Sequence, residues 1–364
     1  MNKKKVLHVP YGGLAYGGVS SVIFSIVECL HKEIDFDCVV FNTVGDTEKK
    51  FEQYGNLHRL KCYAKNGKHS FFERLTRDVR LFFGIRKICR AGKYDAIHVH
   101  NGDDAGICLL AAKLAGVKVR IAHSHNTPTD KRLPLFKRIK MGINRARVNR
   151  YATSKVGCSA LACKSYFGTD DFEVIPNATD TSRFDIRERK DTDGKSFIHV
   201  GRYTYQKNQS FAIDVFERIL KRMPGATLTL IGFGEDEQML RDKINDLGLT
   251  ESITMVPGEG CNVAEYMARA DYMIFPSVFE GFGIVLIEAQ AMGVYCFASD
   301  AVQPEADAGM LKIIPLGIGA DAWAEHITSS IAHGTSVDAA VLEQNIKKFR
   351  KEEIAKKYER IYTD

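Results

Sequence analysis

Short β-branched runs alternate with helix-length amphipathic stretches along this 364-residue chain, and the alternation starts afresh near its middle. Such a pattern folds into parallel α/β structure, here built twice. In the first half the strand-like runs are 5–9, 38–41, 96–100, 117–122 and 172–175. Helices are expected at 20–30, 71–89 and 104–114, the last closed by Gly116 as a helix-ending glycine. The second set of runs is 197–200, 227–231, 253–256, 272–275 and 295–298. Residues 180–196, between the sets, are polar and charged and read as an inter-domain linker. Near the end, Leu342, Ile346, Phe349, Ile354, Tyr358 and Ile361 recur close to helical spacing, so one long amphipathic helix is expected. The expected organisation is a first Rossmann-like domain over 1–180, a second over 181–340 and a helix over 341–364. Two doubly wound domains facing each other bind ligands in the crevice outside the carboxyl ends of their strands.

Composition excludes several classes. With 45% apolar and 26% charged residues the chain reads as an ordinary soluble globular protein. It has no run of about 18 apolar residues, as a membrane-spanning helix requires. The Lys-rich opening runs into only Val6-Leu7-His8-Val9 before Pro10, too short for a signal peptide. Nine scattered cysteines without a C-x-x-C pair fit reduced thiols, so a cytoplasmic setting is expected.

The net charge of +6 hides an asymmetry: residues 1–180 carry 30 Lys+Arg against 17 Asp+Glu, and residues 181–364 carry 21 against 28. Much of the excess lies at 59–93 and at 131–150, the latter with eight basic residues and no acidic one. There Leu133, Leu135, Phe136, Ile139, Met141 and Ile143 interleave with Lys137, Arg138, Lys140 and Arg145. An anionic membrane face, contacted peripherally from the cytoplasmic side, or a phosphorylated acceptor suits that pattern. A solvated charged face over an ordinary core is the alternative. Nucleic acid is disfavoured, because no helix-turn-helix, zinc-finger or RNP-like motif accompanies the charge.

The sharpest chemical signal lies at 280–293. From Ile284 to Met292 the only polar side chains are Glu288 and Gln290, so a helix there should be buried, and a buried carboxylate needs donors. Ligand hydroxyls would serve; a Lys or Arg from elsewhere is the alternative. Glu280 precedes Gly281-Phe282-Gly283, where glycines admit a ligand close to the backbone and the next helix offers unpaired N–H groups to an anion. Arg202 and Lys207 bring two cations into one loop before a helix, as a diphosphate would require. Gly12-Gly13 and Gly17-Gly18 follow the first strand, but match neither G-x-G-x-x-G nor the Walker pattern. Other strand ends carry His100-Asn101-Gly102, His123-Ser124-His125 and Pro176-Asn177-Ala178. His98/His100 and His123/His125 each place two rings on one face of a strand. That invites a metal reading, against which carboxylate or cysteine ligands at metal spacing are missing nearby. Asp191-Thr192-Asp193, a D-x-D, sits in the charged linker and is read as chance.

Together these residues resemble the retaining GT-B glycosyltransferases of family four, especially bacterial enzymes building capsule, exopolysaccharide or cell-envelope glycans. The likeness rests on the E-x7-E motif from Glu280 to Glu288, on Gly201-Arg202 with Lys207-Asn208, on Val174-Ile175-Pro176-Asn177 and on Ala122-His123-Ser124-His125-Asn126. Tyr295 stands where the family usually has proline. The resemblance implies an acceptor-side first domain, a nucleotide-sugar-binding second domain and a terminal helix crossing back to the first. It also implies transfer of a sugar, with retention, from a nucleotide diphosphate donor, expected to be UDP-linked, to a hydroxyl of a lipid-linked or polymeric saccharide, with no metal or other cofactor. Glu280 would contact donor sugar hydroxyls, Glu288 the ribose, and Arg202 and Lys207 the diphosphate. Backbone around Phe282, Gly283, Ile284 and Val285 would touch phosphate or sugar, with Gly17, Gly18 and Asn177 also on the donor, and His125 beside both substrates as a catalytic residue. A catalytically idle nucleotide-sugar-binding scaffold, or a GT-B epimerase or phosphorylase, would carry much of the same machinery.

Overall fold

The computed structural model describes residues 3–10, 13–15, 17–41, 45, 47–62, 71–100, 102–125, 134–335 and 337–363, with backbone alone at 71–75, 136 and 182. Gly12, Asn101, Asn126 and Leu133, singled out above, lie outside the described residues. The chain divides into two compact units: Met1–Thr179 with Lys351–Asp364, and Asp180–Arg350.

In chain order the first domain runs β1 (Lys4–Pro10), α1 (Gly18–Leu30), β2 (Ile34–Val40), α2 (Glu48–Phe51), β3 (Leu57–Arg59), α3 (Phe71–Gly92), β4 (Ala96–His100), α4 (Ala105–Leu114), β5 (Val119–Ser124), α5 (Leu135–Tyr151), β6 (Ser154–Gly157), α6 (Ala160–Phe167) and β7 (Glu173–Val174). Its strands form one parallel sheet ordered β3-β2-β1-β4-β5-β6-β7. The central strands read as continuous apolar runs because helices cover both faces. Val6, Val22, Ile26 and Phe36 belong to one core, and Leu7, Ile97, Leu109 and Val148 to the other.

The second domain continues β8 (Ser196–Val200), α7 (Gln209–Arg222), β9 (Thr227–Gly232), α8 (Glu237–Asp246), β10 (Ile253–Pro257), α9 (Val263–Met267), β11 (Tyr272–Phe275), α10 (Ile284–Ala291), β12 (Tyr295–Ser299), β13 (Leu311–Ile314), α11 (Ala320–His333) and α12 (Ala339–Lys347), after which α13 (Lys351–Thr363) follows. Its parallel sheet is ordered β10-β9-β8-β11-β12-β13. Strand order reverses between β8 and β11, as it does between β1 and β4 in the first domain. A crevice opens at such a reversal, past the carboxyl ends of the strands.

Two expectations are corrected. Residues 180–196 are not a free linker but the bonded start of the second domain. Lys190 N donates to Ala268 O at 2.8 Å, Arg189 reaches Asp271 at 3.0 Å, and Thr192 Oγ1 also donates to Asp271. The buried Asp271 carboxylate anchors the segment through Arg189, Thr192 and Ser196 N, while Arg187, Glu188, Lys190, Asp191 and Asp193 stay exposed. The expected helix over 341–364 is two helices, α12 and α13, broken at residues 348–350. Its apolar stripe serves two cores: Phe349 packs against Phe282 in the second domain, the rings 6.0 Å apart and tilted, whereas Ile354, Tyr358 and Tyr362 pack into the first against α1 and β1. The second domain consequently extends to Arg350 rather than to residue 340.

Candidate active site

The reversal in the second sheet brings the loop after β8, residues 201–208, beside the loop after β11, residues 276–283. Four contacts stitch them together. Val278 N donates to Gln206 O at 2.8 Å, Gln206 Nε2 to Phe279 O at 3.0 Å, and Asn208 Nδ2 to Pro276 O at 3.2 Å. Lys207 Nζ donates to Glu280 Oε2 at 2.5 Å while lying 4.6 Å above the Phe275 ring. A cation and a carboxylate singled out in sequence are thus partners, and both are largely buried. The neighbouring Arg202 is exposed, and its guanidinium makes no ion pair among the described residues. It is the more available of the two cations for an incoming anion.

Gly283 caps α10 in the left-handed region, at φ 81°, and a side-chain carbon there would meet Leu286 at 3.0 Å. Only glycine turns the chain at that point without strain. The turn leaves the first N–H groups of α10, at Ile284 and Val285, without helical partners of their own. Phe282 is the residue of the turn whose side chain goes inward, into the core. Burial in α10 differs from expectation. Glu288, one turn into the helix, is only half-buried, whereas Gln290 is fully buried. The Gln290 amide donates to Leu286 O at 3.0 Å and Ala306 O at 2.8 Å, and accepts from Ala308 N at 2.7 Å and Met310 N at 3.2 Å. The interior polar group of this helix is therefore an amide clamp, and the carboxylate sits toward its accessible side.

In the first domain Gly17 and Gly18 begin α1 with no side-chain cap, and a methyl group at either position would meet nothing within 4 Å. Asn177 is buried with its Oδ1 unpartnered among the described residues. His125 is buried at the end of β5, one member of a cluster with His8, His98, His100 and His123 on one face of the sheet. Tyr362 of α13 lies 2.7 Å from His98 Nδ1, His98 Nε2 lies 3.1 Å from His123 Nδ1, and Tyr358 approaches His123 at 3.4 Å. His8 was not legible as a partner of the H-x-H pairs because it lies on a strand distant in sequence. The available signal was a lone polar ring inside the apolar run of β1.

The basic patch on α5 divides. Arg145 donates to Ser165 O at 2.6 Å and Tyr166 O at 3.1 Å, and Lys140 pairs with Asp104 at 3.3 Å, so both brace the domain. Lys137 and Arg138 are exposed, beside Leu135, Ile139 and Ile143, which stand 70%, 56% and 49% exposed along one helical stripe. A cleft of about 310 Å³ opens next to that stripe, lined by Ile107, Ile139 and Ile143 and by Asp78, Lys140 and Arg147. Among the described residues no helix is long and apolar enough to cross a membrane.

Two doubly wound domains with this pair of loops in the second define the GT-B class. Residues 16–183 match the family described as Glycosyltransferase Family 4, and residues 180–310 match Glycosyl transferases group 1. The chain belongs to the family-four glycosyltransferases. The Bacillus subtilis protein EpsF is 26% identical over 92% of this chain and 89% of its own length. The capsular polysaccharide biosynthesis glycosyltransferase CapH of Staphylococcus aureus is 25% identical over 78% of each. Among solved structures, Anabaena HepE in complex with UDP superposes with a TM-score of 0.78 at 16% identity, covering 99% of both chains, which supports the fold.

Proposed function

We propose that the protein is a retaining glycosyltransferase that moves a sugar from a UDP-sugar to a hydroxyl of a lipid-linked or polymeric saccharide in the synthesis of a bacterial surface polysaccharide. The observation that carries this reading is the stitched pair of loops in the second domain. Lys207, Glu280, Arg202 and the glycine-turned start of α10 occupy the reversal point of one sheet, where cations and free N–H groups meet a phosphate chain. The UDP of HepE and the capsular role in the name of CapH support the donor and the pathway class.

In the proposed reaction Arg202, Lys207 and the α10 N–H groups hold the diphosphate and stabilise charge as the bond from the anomeric carbon to phosphate breaks. The acceptor oxygen attacks on the leaving-group face, and a diphosphate oxygen takes its proton. Glu280 hydrogen-bonds sugar hydroxyls once Lys207 turns to phosphate, and Glu288 holds the ribose. In the first domain the reading assigns substrate contacts to Gly17, Gly18, His125 and Asn177. It needs no metal.

A panel of nucleotide sugars tests the proposal by thermal shift and by UDP release with membrane extracts as acceptor. A UDP-sugar should raise the melting temperature and be turned over, since a ligand that binds only the folded state stabilises it. Binding without UDP release would favour the idle scaffold. An isomerised sugar would favour an epimerase, and phosphate-dependent release a phosphorylase. The exposed Leu135–Ile139–Ile143 stripe, flanked by Lys137 and Arg138, supports a second element of the reading, peripheral contact with anionic lipid at the cytoplasmic face. Sedimentation with anionic liposomes should fall with salt and with Ile139→Ser; binding that ignores both removes this element.

A further inference from the structure

The reaction just proposed asks Lys207 to exchange one anion for another, and the residues around its ammonium show how it is held. Lys207 Nζ donates to Glu280 Oε2 at 2.5 Å and stands 4.6 Å from the centre of the Phe275 ring. An ammonium has three N–H groups. Glu280 takes one, and no second oxygen or nitrogen accepts from Lys207 among the described residues. A largely buried cation with so few acceptors is costly to hold. The ring offsets part of that cost, because an aromatic face attracts a desolvated cation.

This seat is built at the ends of β8 and β11, the two strands between which the second sheet reverses. Phe275 is the last residue of β11 and is fully buried. An aliphatic side chain could fill the same space; what a ring adds is the face turned to Lys207. His199 of β8 stacks on Phe275 with ring centres 5.9 Å apart, and its Nδ1 donates to Ile274 O at 2.8 Å. Burial pushes His199 down to about 4, so at neutral pH it adds no second cation beside the seat. Gly201, just past β8, supplies the floor. A side-chain carbon there would meet Lys207 Cγ at 3.2 Å, Cδ at 3.4 Å and Cε at 3.5 Å, so the lysine stem runs across bare backbone. Gly201 is not among the glycines of positive φ. The site therefore uses its missing side chain and not its conformational freedom.

We propose that Phe275 and Gly201 are positioning residues for Lys207: ring face and bare backbone hold its stem so that the ammonium serves Glu280 in the free protein and a diphosphate oxygen of the nucleotide in the complex. A cation seated in this way changes anions by a short swing of its head, with its stem already ordered. The seat is a property of the free protein; its effect on nucleotide affinity rests on the glycosyl-transfer reading.

Two measurements separate these. In protein labelled with 13C-lysine, the ε-methylene protons of Lys207, assigned by their loss in Lys207→Met, should lie upfield of the ordinary lysine position because of the ring beneath them. They should return to that position in Phe275→Leu. An ordinary position in the unaltered protein overturns the proposal. UDP and uridine are then titrated against the unaltered protein, Phe275→Leu and Gly201→Ala. Phe275→Leu also disturbs packing, whereas the methyl group of Gly201→Ala has only a flexible stem to displace. Each should weaken UDP about fivefold and leave uridine unchanged, as loss of one buried cation–π contact implies. In a Lys207→Met background neither change should cost anything further, since residues that act through one partner do not add. Equal losses for UDP and uridine, or undiminished losses beside Lys207→Met, would show that Phe275 and Gly201 act without Lys207 and would overturn the proposal. If the unaltered protein bound UDP no better than uridine, the diphosphate reading would fall, and the lysine signal would still decide the seat.

Discussion

In the first domain five buried rings, His8, His98, His100, His123 and His125, bond to one another and to two tyrosines. In the second an amide and a carboxylate, Gln290 and Asp271, are held by main chain, by the Thr192 hydroxyl and by Arg189. His199, bonded to Ile274 O at 2.8 Å, is the one buried imidazole there among the described residues. Two sheets that reverse at the same point can thus carry interior polarity as a network of imidazoles or as an amide and a carboxylate held by main chain and a fixed cation. The choice decides how each domain answers acid.

Acid should give the largest contrast. A ring whose folded value lies below its unfolded value of about 6.5 leaves the folded state poorer in protons, so stability is complete above that pH and falls as pH drops. The loss continues down to about 3 for His8 and His125 and about 4 for His199. Each ring contributes at most about 1.4 kcal/mol per pH unit. With five such rings against one, the first domain should unfold at the higher pH. The only tryptophan, Trp323, is buried in the second domain. Ellipticity should therefore fall before tryptophan fluorescence shifts, and coincident transitions would break the contrast.

The amide clamp should come next. Gln290→Leu keeps volume but orphans Ala308 N and Met310 N, costing about 3 kcal/mol of second-domain stability by urea titration of Trp323 fluorescence. The loss should be independent of pH between 5 and 8, unlike that of the histidine cluster. Arg202→Ala should leave that titration unchanged while lowering kcat/KM by about 2–4 kcal/mol of transition-state stabilisation. Near-normal activity would remove the role assigned to Arg202. The smallest effect is expected from Tyr362→Phe. It deletes the hydroxyl that bonds His98 Nδ1 and should cost about 1–2 kcal/mol, seen in ellipticity and not in Trp323 fluorescence.

The sheets were legible because parallel strands covered on both faces are continuous apolar runs; β4 and β11 were located to the residue. The strands missed, β3, β6 and β13, are short and mix polar with apolar residues at or near a sheet edge, where one covered face suffices. The loops holding Arg202, Lys207 and Glu280 could be read because glycines and charges cluster after strands. Their mutual pairing could not, since it depends on which strands become neighbours. The contacts of Gln206 and Asn208 escaped for the same reason: a polar run before a helix looks like a cap until its partners are known. Glu288 and Gln290 illustrate a limit of helical periodicity. Both fall on a short, mostly apolar helix, and only tertiary packing shows which of them faces inward.

The return of α13 to the first domain has a consequence for how the chain is made. Tyr358 and Tyr362 cover a cluster whose rings come from residues 8 to 125, so the part synthesised first cannot close its interior until the ribosome has passed residue 362. During translation the second domain can complete its fold ahead of the first, reversing the usual vectorial order. A nonsense codon that removed only α13 would leave the neighbouring domain intact and expose the histidines to water, marking the shortened product for proteolysis.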